Sequence, residues 1–98
     1  KEMFFVLVGL DSQAQSVLQD FEVRMRSWPE VRECHMIRGG GDFLLKVVAK
    51  DKAHRDSLTM GMTETDHVVK VTTFETIRTA KNLSGVPIEE EELEKGTN

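Results

Sequence analysis

The chain has 98 residues, 39% of them apolar and 31% charged, with a formal net charge of −4. That length holds one small domain with a thin core, for which oligomerisation is a common remedy. The composition excludes several classes: no run approaches the ~20 apolar residues of a membrane span, and no signal peptide precedes the first strand. The single Cys34 rules out an internal disulfide and fits a reducing cytoplasm. Much of the acidity sits in Glu89-Glu90-Glu91-Glu92 and Glu94, while Arg24, Arg26, Arg32, Arg38, Arg55 and Arg78 are scattered among acids. Duplex DNA is bound through basic patches that displace counterions from phosphates. This chain has no such patch, so contact with DNA is expected only through another domain.

Met3 to Leu10 (MFFVLVGL) is a continuous apolar run, expected of a strand covered on both faces. Asp11-Ser12 is a good N-cap pair for a following helix. In it Ala14, Val17, Leu18, Phe21, Met25 and Trp28 make one apolar stripe at helical spacing. Pro29 stops that helix by pushing its predecessor out of the α region, and Trp28 reads as an anchor of the helix end against the sheet. Val31 to Arg38 and Asp42 to Ala49 read as two strands flanking Gly39-Gly40-Gly41, whose positive φ angles suit a tight hairpin. Asp51 can cap a second helix through about Met62. Its stripe is poor (His54, Leu58 and Met62, with Gly61 inside), which predicts a short or loosely packed element. His67 to Arg78 is rich in β-branched residues and reads as a long fourth strand. From Ala80 to Ile88 the expectation is a partly ordered arm, and for the terminal EEEELEKGTN disorder.

The order β-α-β-β-α-β, with right-handed crossovers, is the ferredoxin-like α+β arrangement: a four-stranded antiparallel sheet with both helices on one face. The first strand is apolar on both sides, yet the helices can cover only one. An uncovered face of that kind exceeds the apolar patch a monomer usually tolerates, so dimerisation through the sheet follows from the pattern.

From about Met3 to Ile88 the chain resembles the effector domain of the Lrp/AsnC family of transcription regulators. The resemblance rests on Trp28-Pro29-Glu30-Val31-Arg32-Glu33-Cys34, on Gly39 and Asp42 followed by Phe43-Leu44-Leu45-Lys46-Val47-Val48, on Thr72-Thr73, and on Val86-Pro87-Ile88. It implies a domain of the dimeric α/β barrel type that dimerises through its sheet, with dimers often assembling into tetramers or octamers. It also implies a small effector, usually an amino acid, bound where dimers meet, and a helix-turn-helix domain preceding the effector domain. The chain begins at Lys1, without a methionine, two residues before the first strand. The expected division is therefore residues 1–88 as the effector and oligomerisation domain and 89–98 as an acidic tail, without the helix-turn-helix domain. The family's loop usually reads Gly-acidic-Tyr-Asp. Here it is Gly39-Gly40-Gly41-Asp42, which lacks the first acid and the aromatic residue.

Gly39, Gly40, Gly41 and Asp42 are the best ligand-site candidates. Backbone N–H groups at a glycine turn can hold a carboxylate, and Asp42 can receive an ammonium group. The competing reading is that the glycines serve hairpin geometry and Asp42 bonds turn amides. Thr72 and Thr73 can offer hydroxyls from the fourth strand, or simply reflect β propensity. His35, His54 and His67 lie on different elements without metal-ligand spacing, and neither a metal nor a cofactor is expected. No phosphate loop, nucleophile elbow or paired-carboxylate motif is present. The alternatives are a ligand-free or stand-alone assembly module of this fold and, less favoured, a small dimeric α/β-barrel isomerase or monooxygenase. An enzyme of that type needs a proton-moving His, Asp or Tyr in a pocket between sheet and helices. The chain has no Tyr, and its inward strand positions read as apolar.

Overall fold

A computed structural model describes residues 1–83; the Val86-Pro87-Ile88 segment and the acidic tail lie outside the described residues. The elements are β1 (Glu2–Leu10), α1 (Gln15–Arg26), β2 (Val31–Met36), β3 (Phe43–Ala49), α2 (Lys52–Thr63) and β4 (Val68–Glu75). The four strands form one sheet in the order β2-β3-β1-β4, and every neighbouring pair is antiparallel. This is the ferredoxin-like α+β fold expected from the element order.

Residues directly opposite in an antiparallel pair share a face of the sheet, so the register sorts the side chains. Phe4, Val6 and Val8 pair with Val47, Leu45 and Phe43, and all six are buried beneath the helices. The same core takes Phe21 and Met25 from α1 and Leu58 and Met62 from α2. Both helices therefore lie on one face. The Phe21 and Phe43 rings meet at 4.8 Å between centroids, within the favourable range for an aromatic pair. Burying each of these large side chains contributes about 1.5–3 kcal/mol.

The helix starts differ from expectation at α1 and agree at α2. Asp11-Ser12 does not cap α1, whose N-cap is Ala14 with no side-chain cap bond. Ser12 Oγ accepts from the Ala14 amide (3.1 Å). Asp11 is drawn instead to His67: its N–H donates to the His67 carbonyl (2.9 Å), and its Oδ1 lies 2.8 Å from His67 Nδ1. That pair clamps the chain where His67 takes a left-handed φ of 69°. Trp28 falls beyond α1 and packs on Gly61 of α2, where an added Cβ would come within 3.0 Å of its ring. Asp51 does cap α2, accepting the His54 amide at 2.8 Å. The second helix is not short, for it has twelve residues like the first. Its sparse stripe is supplemented by Arg55, whose guanidinium lies 5.2 Å from the Phe4 ring centroid and is ion-paired with Glu75 and Glu2. β4 ends at Glu75, short of the expected Arg78.

Candidate functional site

The β2–β3 connection is closed by the Ile37 N–H donating to the Asp42 carbonyl at 3.0 Å, which leaves Arg38, Gly39, Gly40 and Gly41 as the loop. Gly39 and Gly40 have φ of 91° and 83°, a region that L side chains occupy only with strain. Among the described residues, nothing beyond their chain neighbours lies within 4 Å of where their Cβ atoms would be. Gly41 is required for a different reason: a Cβ there would stand 2.7 Å from Leu7 Cδ1. Among the described residues, the amides of Gly39, Gly40 and Gly41 form no hydrogen bond within the protein.

Asp42 ties this loop to the end of β1. Its N–H donates to the Val8 carbonyl at 2.9 Å, and its Oδ2 accepts the Leu10 N–H at 2.7 Å. Gln13 Nε2 spans the Leu10 carbonyl at 3.2 Å and both Asp42 oxygens at 3.4 Å. The carboxylate thus has a structural duty. Each of its oxygens carries two lone pairs, so acceptor capacity remains for an incoming donor.

The two threonines are separated by the sheet. Thr72 pairs with Leu7 and Thr73 with Val6. Val6 is fully buried, which puts Thr73 on the helix side, whereas Thr72 shares the opposite face with Leu7 and, through it, with Gly41. Strand alternation makes any site that uses both hydroxyls impossible within one chain. That opposite face carries Met3, Phe5, Leu7, Leu44, Val48 and Phe74, placed together by the β1–β3 and β1–β4 registers. Met3 and Phe74 are 37% and 47% exposed; among the described residues nothing covers this face. Its β2 side is polar. Glu33 lies 2.9 Å from His35 Nε2 and 3.4 Å from Lys46 Nζ. The His35 contact, then Lys46, holds the Glu33 carboxyl below the ordinary carboxylate range.

The remaining candidates have local partners. His54 Nδ1 accepts the Lys50 N–H at 3.0 Å, which leaves Nε2, 3.1 Å from Glu30 Oε2, as the donor. Burial, and then the nearby Glu22 charge, pushes the half-buried Cys34 thiol up to about 11. Among the described residues no group of three or more His, Cys, Asp or Glu is arranged to hold a metal ion, and no helix is long and apolar enough to cross a membrane. Sequence reasoning passed over Arg38 and its neighbours Met36 and Ile37, which line a concavity of about 420 Å³ beside the loop. Their position immediately before the glycine run was the available signal.

Residues 3–86 match the family model described as the Lrp/AsnC ligand binding domain. The leucine-responsive regulatory protein of Rhizobium meliloti is 41% identical over 85 residues, which cover 86% of this chain and 54% of that protein. The chain thus spans about half the length of this curated relative. An AsnC family transcriptional regulator from Agrobacterium tumefaciens superposes with a TM-score of 0.77 at 26% identity, over 89% of this chain and 57% of the other. A Neisseria meningitidis transcriptional regulator, solved as its L-Met complex, has the same fold, with a TM-score of 0.76 at 23% identity over 88% of this chain and 56% of that one. On this sequence match, and with the fold in agreement, the chain belongs to the Lrp/AsnC family as a ligand binding domain.

Proposed function

We propose that this domain senses a small amphoteric effector, an amino acid, beside the Gly39–Asp42 loop. On this reading it assembles through its uncovered sheet face and modulates DNA binding by a helix-turn-helix domain of the full-length cytoplasmic regulator. The observation that carries the reading is the juxtaposition of two features. The apolar face formed by Phe5, Leu7, Leu44 and Phe74 ends at a loop whose three glycine amides have no hydrogen-bond partner among the described residues. Covering that face removes an apolar patch from water at about 25 cal/mol per Å². Free amide N–H groups at a turn can donate to a carboxylate. Thr72 lies on the same face as Leu7 and belongs to the proposed site; Thr73 does not. Relatives named as transcriptional regulators and two structural neighbours solved with L-methionine support the effector class.

A second reading has its own observation. Asp42 is already engaged by Leu10 and Gln13, as expected if the loop only fixes the end of β1 in a ligand-free assembly module. Isothermal calorimetry of this chain against all twenty amino acids separates the two. Saturable heat with at least one amino acid is the expected result. No heat with any of them at several millimolar overturns effector binding and leaves the assembly module.

A further inference from the structure

Among the described residues, His54 is the one histidine with both ring nitrogens in hydrogen bonds. Its Nδ1 accepts the Lys50 N–H at 3.0 Å, and its Nε2 lies 3.1 Å from Glu30 Oε2. One ring therefore joins three places in the fold: the residue after β3, the first turn of α2, and the turn between α1 and β2. It sits at the opposite end of β3 from the Gly39–Asp42 loop, roughly 20 Å away at the rise of a strand. Side-chain exposures of 25% for His54 and 28% for Glu30 limit the water that could replace either bond. The charges around the ring are Glu30 from the turn, Lys50 after β3 and, lining the same cavity of about 530 Å³, Lys1 and Arg32. On α2 itself, Asp51 accepts the His54 backbone N–H, Lys52 and Asp56 are exposed, and Arg55 is paired with Glu75 and Glu2.

An imidazole can hold the Lys50 bond only as the neutral Nε2–H tautomer, because Nδ1 must present a lone pair. The imidazolium has a donor at each nitrogen. Protonation sets the new Nδ1–H against the Lys50 N–H and turns the Glu30 contact into a charge-assisted bond. We propose that His54 is a pH-responsive latch: neutral, it fastens the β3–α2 corner, and protonated, it releases Lys50 and stays on Glu30 alone. The Asp51 cap uses the His54 backbone and not its ring, so α2 keeps its start. The change is confined to Lys50 and the cavity wall it shares with His54. This inference is independent of the effector reading.

The test follows the folded chain by NMR from pH 8 to pH 5, the range in which imidazole charge ordinarily changes. Long-range proton–nitrogen correlations report the His54 ring, and amide exchange corrected for its intrinsic rate reports the Lys50 N–H. The expected result is the Nε2–H tautomer at pH 8, with Lys50 protection falling about fivefold or more as the ring protonates. The Arg55 N–H, bonded to the Asp51 carbonyl at 3.0 Å, should keep its protection throughout. In His54→Gln, which has no titrating ring, Lys50 protection should show no step with pH. An Nδ1–H tautomer at pH 8, a ring that stays neutral to pH 5, or Lys50 protection unchanged on protonation each overturns the latch. So does a step of the same size in His54→Gln.

Discussion

Replacing Asp42 separates its structural duty from any role with a ligand. In Asp42→Ala the Leu10 N–H, part-buried and now bonded to Oδ2 at 2.7 Å, loses a charged acceptor. Gln13 Nε2 loses the same partner but keeps the Leu10 carbonyl, so the cost falls mainly on Leu10. Loss of a hydrogen bond to a charged group costs about 1.5–3 kcal/mol. For a domain of this size each kcal/mol moves the melting temperature by about 4–8 °C, so Asp42→Ala should melt between about 6 and 24 °C lower. Asp42→Asn keeps a carbonyl oxygen that can accept from Leu10. It should recover much of that loss while still lacking the charge an effector's ammonium would need. Far-UV circular dichroism melts at matched protein concentration give the first quantity, and amino-acid titrations of Asp42→Asn give the second. An Asp42→Ala domain that melts like wild type would refute the assignment of Asp42 as the clamp on β1.

Three further perturbations follow from the same geometry. Phe5→Glu puts a charge on the uncovered face between Phe74 and Lys46 and should yield a folded chain with a lower sedimenting mass, whereas Val6→Glu, in the core, should not fold; an unchanged mass for folded Phe5→Glu contradicts the interface. Gly41→Ala forces Leu7 aside and should cost about 1–3 kcal/mol, and Gly39→Ala, free of clashes but held at positive φ, about 1–2 kcal/mol; urea midpoints equal to wild type would show that neither constraint matters. Burial raises the Cys34 thiol from 9.0 to about 11, so the folded state binds its proton more tightly than the unfolded chain. The resulting stability is complete below pH 9.0 and is lost as pH rises towards about 11. Alkylation near neutral pH should be slow, and denaturation of Cys34→Ser should lack that alkaline decline; identical alkaline profiles for the two proteins would contradict this account.

The features legible in the sequence were those set by local periodicity. The two-faced apolarity of MFFVLVGL, the stripe through Phe21 and Met25, and the β-branched run before Glu75 each report a neighbour in space, and together they define the fold. The misplaced features were set by distant partners. Asp11 had the chemistry of an N-cap, but His67, 56 residues away, takes its side chain. Asp42 looked like a turn residue or a ligand, and the partner that holds it, Leu10, lies 32 residues earlier. Adjacent Thr72 and Thr73 read as a pair, although alternation alone would have divided them between faces. The poor stripe of α2 misled because Arg55 packs its guanidinium on Phe4, a contribution that hydrophobic spacing does not register.

The central claim is that the open sheet face is an assembly surface, and sedimentation equilibrium of the unmodified chain at micromolar concentration tests it most directly. The account predicts a mass of at least twice the 11.1 kDa of one chain, with dissociation on Phe5→Glu. A single 11.1 kDa species across the accessible concentration range would contradict it.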